Sequence, residues 1–352
     1  MRLLVTGGAG FIGSNFIRYI LQNYPEDSVV NFDALTYAGN LENLKDVETL
    51  ERYSFVKGDV CNFEALKKAA VGVDAIVHFA AESHVDRSIH SSDAFLQTNI
   101  IGAQRVIDVV RDLHDAHRAS HSRQADLPKR EEIKLVLVST DEVYGDIASP
   151  KKSKDGDAFN PSSPYSASKA ASEVMLLAAI RTHEVPAMIT RCTNNYGPYQ
   201  FPEKMIPLFI SNAIEGKKLP LYDGGTQIRD WLYVTDHCSA IDLVLRNGTI
   251  GQAYDIAAEN EPEVTNRAIT ESVLAAMGKP KDLIKEVSGL RPGHDQRYAV
   301  DSSKIRTELG WKPSVTLEEG IQRTIVWYQQ NEAWWKRVKS GEYQEYYRQH
   351  YG

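Results

Sequence analysis

The sequence predicts an α/β protein: a Rossmann-type doubly wound parallel sheet with a smaller C-terminal α/β substrate-binding lobe. Three observations predict it. Short β-rich runs alternate with helical stretches through the first half of the chain, and that repetition builds a parallel sheet between two helix layers. The runs LVLV and AIVHF are continuously apolar, as strands covered on both faces are. A glycine cluster, TGGAGFIG at 6–13, separates the first strand from the first helix, where a pyrophosphate would rest on a helix N-terminus.

The elements follow in order. Arg2–Thr6 is an apolar strand stopped by glycines, and Ile12–Tyr24 is an amphipathic helix. Further strands are expected at Ser28–Asp33, Ser54–Gly58, Ala75–Phe79, Lys134–Ser139 and Ala187–Arg191. Helices are expected at Phe63–Ala70, Asn99–Leu113 and Ser166–His183. Asp115 to Glu132 is polar and reads as a surface connection; Asp146–Pro161, with Lys151, Lys152 and Lys154, reads as a loop and a candidate lid. After Arg191 the prolines 198, 202, 207 and 220 break up regular structure. The first lobe therefore spans 1–193, with 229–250 returning to it as a strand and helix, and the second lobe is mainly 194–352. The terminal aromatics Trp327, Trp334, Trp335, Tyr343, Tyr346 and Tyr347 read as packing of that lobe.

Composition narrows the function classes. A chain of 352 residues holds about two lobes at roughly 150 residues each. With 42% hydrophobic and 25% charged residues, it is neither disordered, collagenous nor coiled coil. Lys+Arg total 40 against 47 Asp+Glu, a net charge of −7, which argues against a nucleic-acid coat or a polybasic membrane binder. Cys61, Cys192 and Cys238 show no CxxC spacing, so neither a disulfide framework nor a zinc site is expected. The first apolar run is broken at once by glycines, unlike a signal peptide. The longest apolar run, Val174 to Ile180, falls far short of the ~20 residues of a spanning helix. A cytoplasmic protein is the expectation.

Gly8, Gly10 and Gly13 fit G-x-G-x-x-G, and Gly7, Gly10 and Gly13 fit G-x-x-G-x-x-G. No Gly-Lys-Ser/Thr follows, which excludes a P-loop. Asp33 ends the second strand 20 residues after Gly13 (33 − 13), where an acidic side chain accepts hydrogen bonds from the adenosine ribose. A carboxylate there repels a 2′-phosphate and so favours NAD over NADP. Cofactor contacts are expected at Gly7, Gly10, Phe11, Ile12 and Gly13, at Asp33 with Ala34, Leu35 and Thr36, and at Asp59 and Val60 bordering the adenine.

Tyr165 and Lys169 form Y-x-x-x-K, which puts both side chains on one helix face. A tyrosine near pKa 10 is a poor base at neutral pH; an adjacent ammonium favours its phenolate. The same lysine can hydrogen-bond the nicotinamide ribose. With TGGAGFIG, the YSASK run resembles the extended short-chain dehydrogenase/reductase family, the NAD-dependent epimerases and dehydratases, most of which act on nucleotide sugars. The resemblance spans nearly the whole chain. It implies that Thr140 hydrogen-bonds the hydroxyl being oxidised and that Tyr165 removes its proton.

Oxidation of an alcohol needs only Thr140, Tyr165 and Lys169, yet the strand end reads Ser-Thr-Asp-Glu at 139–142. Dehydration gives the two extra carboxylates work. A C4 ketone acidifies the C5 proton, which Glu142 removes as base; Asp141 as acid gives a proton to the departing C6 hydroxyl. Asp141 must then stay protonated near pH 7, a shift of about 2–3 units that costs roughly 3–4 kcal/mol. Burial beside another carboxylate pushes it that way. STDEVYGD, AAESHVDRS, NNYGP, FPEK, RDWLYV and RPGHDQRYA, together and in order, are similar to the nucleotide-sugar 4,6-dehydratases of that family.

The resemblance implies further contacts. Phe79, Ala80, Ala81, Glu82 and Ser83 would touch NAD, with Ser83 also near the substrate, and Thr98 and Asn195 would touch the cofactor. Asn194, Lys204, Met205, Pro220, Leu221 and Tyr222 would line the substrate pocket with Ser83 and Thr140. Arg229, Asn266, Arg291 and His294 would hold the nucleoside diphosphate, the arginines as bidentate phosphate partners. Leu290 stands where that pattern has an aspartate, and the loop between Tyr144 and Pro161 is short. The implied substrate is dTDP-glucose, the implied assembly a homodimer through the helices after Tyr165 and at Asn99–Leu113. Open alternatives are a UDP-glucose dehydratase, a 4-epimerase, a dehydrogenase that releases NADH and a non-catalytic NAD sensor.

Overall fold

The computed structural model describes residues 1–123, 133–289 and 295–340. The strands expected in the first half form, with ends shifted by a residue or two. They are β1 Arg2–Thr6, β2 Ser28–Asp33, β3 Tyr53–Lys57, β4 Ala75–His78, β5 Lys134–Thr140 and β6 Ala187–Cys192. Four short strands follow in the second half: β7 Asn194–Tyr196, β8 Leu219–Tyr222, β9 Ile228–Arg229 and β10 Trp231–Tyr233. A seventh sheet strand not expected from the sequence, β11 Ala253–Ile256, pairs with β6. The order is β3-β2-β1-β4-β5-β6-β11, all parallel. The chain therefore reverses direction across the sheet between β1 and β4, the point where open parallel sheets form a ligand crevice.

Alternate strand residues face opposite sides, and the core divides accordingly. Leu3, Val5, Val77, Val136 and Val138 face one helix layer; Leu4, Ile76, Leu135 and Leu137 face the other. The helices are α1 Phe11–Asn23, α2 Phe63–Ala69, α3 Val85–His90, the turn α4 Asp93–Phe95, α5 Ala103–Arg123 and α6 Pro164–His183. The helix expected over Asn99–Leu113 begins instead as a π-helical turn, Leu96–Gly102. It then runs to Arg123, into the segment read as a surface connection; residues 124–132 lie outside the described chain.

The second half adds α7 Met205–Ile214, α8 Val234–Asn247, α9 Asn266–Ala276, α10 Ser303–Leu309, α11 Leu317–Gln330 and α12 Glu332–Val338. Helix α8 packs on α1, and its Ile241, Val244 and Leu245 join the sheet core. Strand β10, however, pairs with β7 in a separate ribbon. Strand β9 pairs with β12 Val264–Thr265, and β8 with β13 Ile284–Val287. The second core is aromatic: Tyr196, Trp231, Tyr328, Trp334 and Trp335 are all buried in it. Tyr343, Tyr346 and Tyr347 lie outside the described residues. The loop read as a candidate lid is stitched to the second half: Ile147 N–H donates to Arg297 O, and Lys152 Nζ meets Glu259 at 2.7 Å.

Candidate active site

A cleft of about 600 Å³ opens at the C-terminal ends of β1, β2, β4 and β5. Its first wall is the glycine turn. Gly7 has φ +70, and a Cβ there would come within 2.6 Å of Ala80 N. A Cβ on Gly13 would collide with Gly7 O, so this glycine allows helix and strand to close up. Gly10 differs: a Cβ would meet only Gly7 O, at 3.3 Å. It is the N-cap of α1, offers no side-chain cap, and no acidic residue follows in the first turn. The first N–H groups of α1 thus remain for an anion.

Asp33 is buried at the end of β2 and accepts N–H bonds from Ala9 at 2.9 Å and Leu35 at 2.7 Å. Burial pushes its pKa up, opposed by these two bonds. They fix the carboxylate at the cleft edge beside Ala34 and Thr36. Gly7, Gly10, Phe11, Ile12, Gly13, Asp59, Val60, Phe79 to Ser83, Thr98, Tyr165, Lys169 and Asn195 also line the cleft; Leu35 does not. An elongated dinucleotide fits this donor set: open helix N–H groups for a pyrophosphate and an aligned carboxylate for a ribose.

The reacting groups converge at the end of β5. Thr140 Oγ1 accepts from Glu142 N–H at 3.3 Å and lies 3.3 Å from Asp141 Oδ1. The Thr140 hydroxyl favours the ionised form of the Tyr165 phenol nearby. Helix α6 carries Tyr165 because Ser163 and Ser166 form a capping box with Pro164 in the first turn. Lys169 Nζ, buried, donates to Val138 O at 2.7 Å. Burial pulls its pKa down to about 8, opposed by Glu173. The expected depression of Tyr165 by Lys169 is not what the structure gives. Burial, then the Glu142 charge, pushes the phenol up. Asp141 follows the expected direction: burial, then Glu142, raises it well above the ordinary carboxyl value. Its Oδ2 is buried with no hydrogen-bond partner.

Residues from the second half of the chain close the other side. Asn194, Asn195 and Lys204 line the cleft, and Lys204 Nζ donates to Ser83 O at 2.9 Å. The buried Oδ1 atoms of Asn194 and Asn195 have no partner. Met205, Pro220, Leu221, Tyr222, Arg229 and Asn266 do not line this cleft. Leu221 is committed to an apolar core with Leu219, Leu208 and Phe209. The Arg229 guanidinium donates to Asp295 O at 2.8 Å and stacks 4.1 Å over Tyr298, while its charge lowers Asp141. Leu290, Arg291 and His294 lie outside the described residues. His84 is structural: its Nδ1 caps α3 by accepting Arg87 N–H at 3.3 Å.

Sequence reasoning missed three residues here. Glu203 is buried in the cleft wall, where burial pushes its pKa up to about 7 against Lys204 and Arg87. The FPEK run was the available signal. Tyr298 is buried, and burial followed by the charge of Glu142 raises its phenol. Asn99, in the π-helical turn, donates to Glu82 O at 2.9 Å and Ser168 Oγ at 2.8 Å and accepts Glu82 N–H at 2.8 Å. It thereby locks the Glu82 loop against α6. Among the described residues no group of three or more His, Cys, Asp and Glu could hold a metal ion.

The family model for GDP-mannose 4,6-dehydratase matches residues 4–324. A dTDP-glucose 4,6-dehydratase of Shigella flexneri is 46% identical over 366 aligned residues, covering 100% of this chain and 99% of that one. A solved dTDP-glucose 4,6-dehydratase of Streptomyces venezuelae with NAD bound is 44% identical, with a TM-score of 0.88 over 96% of this chain and 100% of that one. The Bacillus anthracis str. Ames enzyme of that name, in complex with NAD, is 46% identical, with a TM-score of 0.85 over the same shares.

Proposed function

The chain belongs to the GDP-mannose 4,6-dehydratase family, and from that premise we propose that it converts dTDP-glucose to dTDP-4-keto-6-deoxyglucose and water. The steps are oxidation at C4, elimination of water across C5 and C6, and return of the hydride to C6. It is an NAD-dependent hydro-lyase. NAD supplies a hydride acceptor that is restored within each turnover. The observation that carries the reading is the Asp141–Glu142 pair lining one cleft with Thr140 and Tyr165, the Asp141 carboxyl raised by burial and then by the Glu142 charge.

The residues divide the work. Thr140 orients the C4 hydroxyl, and Tyr165 takes its proton with Lys169 behind it. Glu142 removes the C5 proton once C4 is a ketone and later returns one. Asp141 protonates the leaving C6 hydroxyl. A 4-epimerase would have no use for the last two groups. The helix N-terminus at Gly10 and the Asp33 carboxylate hold pyrophosphate and ribose. Asn194 and Lys204, which line the cleft, hold the sugar nucleotide.

Val174 and Met175 on α6 and Leu96 and Ile101 on the π-helical turn packed against it are exposed, and such apolar side chains suit a second copy of the chain across a two-fold. Three free cysteines suit the reducing cytoplasm. No helix among the described residues is long and apolar enough to cross a membrane. The product feeds deoxysugars such as rhamnose.

The test is to give purified enzyme dTDP-glucose, UDP-glucose and GDP-mannose separately and to follow each by mass spectrometry. Loss of one water from dTDP-glucose in preference to the others is expected. A mass-neutral isomer would mean an epimerase, and preference for UDP-glucose would overturn the assigned base.

A further inference from the structure

Behind the catalytic turn lies an ion network that the chemistry above does not use. Arg191, on β6, is only 3% exposed. Its Nε and Nη2 each lie 2.8 Å from Glu173 Oε2 on α6. Its Nη1 donates to the Tyr144 phenol at 2.7 Å. That phenol in turn donates to Asp255 on β11, 3.0 and 3.2 Å from the two carboxylate oxygens. Asp155, 3.3 Å from Nη1, joins Lys304 of α10 at 2.8 Å.

The position of the network gives it meaning. Tyr144 is the last residue of the single helical turn Asp141–Tyr144, whose first two residues are the proposed acid and base. Glu173 lies one helical turn beyond Lys169 on α6. The network therefore joins the element carrying the elimination groups to the element carrying the oxidation groups. Apolar packing also holds this side of the turn, with Val143 and Tyr144 buried among Ala170, Ala257 and Val300, and Asn160 N–H donates to Val143 O at 3.0 Å; the network adds a polar grip on the phenol at the end of the turn. Burying so many charges is no efficient route to stability, because desolvation offsets most of the attraction. A role in geometry accounts for them better.

We propose that Arg191 and Asp255 are positioning residues for the elimination step: gripping the Tyr144 phenol from both sides, they hold Asp141 and Glu142 in register with Tyr165 and Lys169. The inference rests on the dehydratase reading. The Thr140 backbone is held in β5 opposite Cys192 of β6, and Lys169 is tied to Val138 O, so oxidation at C4 should be less sensitive to the grip than elimination.

Tyr144→Phe removes only the hydroxyl. In a single turnover on dTDP-glucose, rapid-quench mass spectrometry separates the oxidised but still hydrated sugar from the dehydrated product. Elimination should slow by about 10- to 100-fold, as a small misplacement of reacting groups does, so that the hydrated 4-keto sugar accumulates while KM is unchanged. Asp255→Ala should shift the partition the same way, and Asp255→Asn, which keeps an acceptor for the phenol, should restore it. The Asp255 pair carries the test if Tyr144→Phe is not recovered folded. Wild-type partition in Tyr144→Phe or Asp255→Ala, or equal slowing of both steps, would overturn the proposal. Failure of the wild-type enzyme to dehydrate dTDP-glucose would instead strike the underlying reading.

Discussion

Asp141 and Glu142 are neighbours in the chain, and their closeness sets the protonation that the chemistry needs. The Asp141 carboxyl is buried at the end of β5, and burial first, then the Glu142 charge, raises its pKa. The folded protein thus keeps a proton that the unfolded chain gives up near pH 4. The stabilisation from this proton is complete below that pH and is lost as pH rises through the raised value. Asp141→Asn is neutral at every pH and escapes the loss. It should melt with the wild type at low pH and above it at pH 8 by scanning calorimetry. Its turnover should fall by about 10²- to 10⁴-fold, the usual worth of a positioned acid. A variant that is no more stable at pH 8, or that turns over normally, would contradict the assignment. This direction was legible in the sequence because two adjacent carboxylates at a buried strand end leave little choice. The direction at Tyr165 was not, because spacing shows that Lys169 shares its helix face but not that Lys169 is spent on Val138 O.

At the scale of elements, what was legible follows from pattern strength. Strands β1, β2, β4, β5 and β6 announce themselves as apolar runs buried along nearly their whole length, whereas the edge strand β3 is largely exposed. Strand β11 escaped because its four residues, Ala-Tyr-Asp-Ile, include a charge that only Arg191 and Tyr144, distant in sequence, make tolerable in a sheet. The π-helical turn escaped because one extra residue per turn leaves the apolar pattern of the flanking helix nearly intact, yet it places Thr98 and Asn99 against the cleft and its Glu82 loop. The two-residue strands β9 and β12 are too short for any periodicity. The faces of α6 and the π-helical turn carry a prediction of their own. Val174 is 54% and Leu96 49% exposed, so a charge at Val174 should leave the fold intact and break self-association. Sedimentation should give a dimer for the wild type and a monomer for Val174→Glu with unchanged circular dichroism. A wild-type monomer, or a dimeric variant, would remove this surface from consideration.

At the scale of the whole molecule, distant parts of the chain meet around the cleft. Lys204 bonds Ser83 O, and Trp334 Nε1 donates to Asn43 at 2.9 Å. Asn43 in turn donates to Ala9 O in the glycine turn at 2.9 Å. Such cross-bridges suit a reaction in which oxidation and reduction happen on one bound sugar with no release between them. The glycine turn, Asp33 and the Tyr165–Lys169 pair could be placed from sequence because each is a local pattern, while the role of Thr140 came from the resemblance. The partners that brace them from distant parts of the chain could not be placed. The most direct test uses dTDP-glucose carrying deuterium at C4, incubated with purified enzyme and no added NAD. The account predicts a product that has lost one water and carries the deuterium at C6. Deuterium lost to solvent, or substrate unchanged even after NAD is supplied, would contradict it.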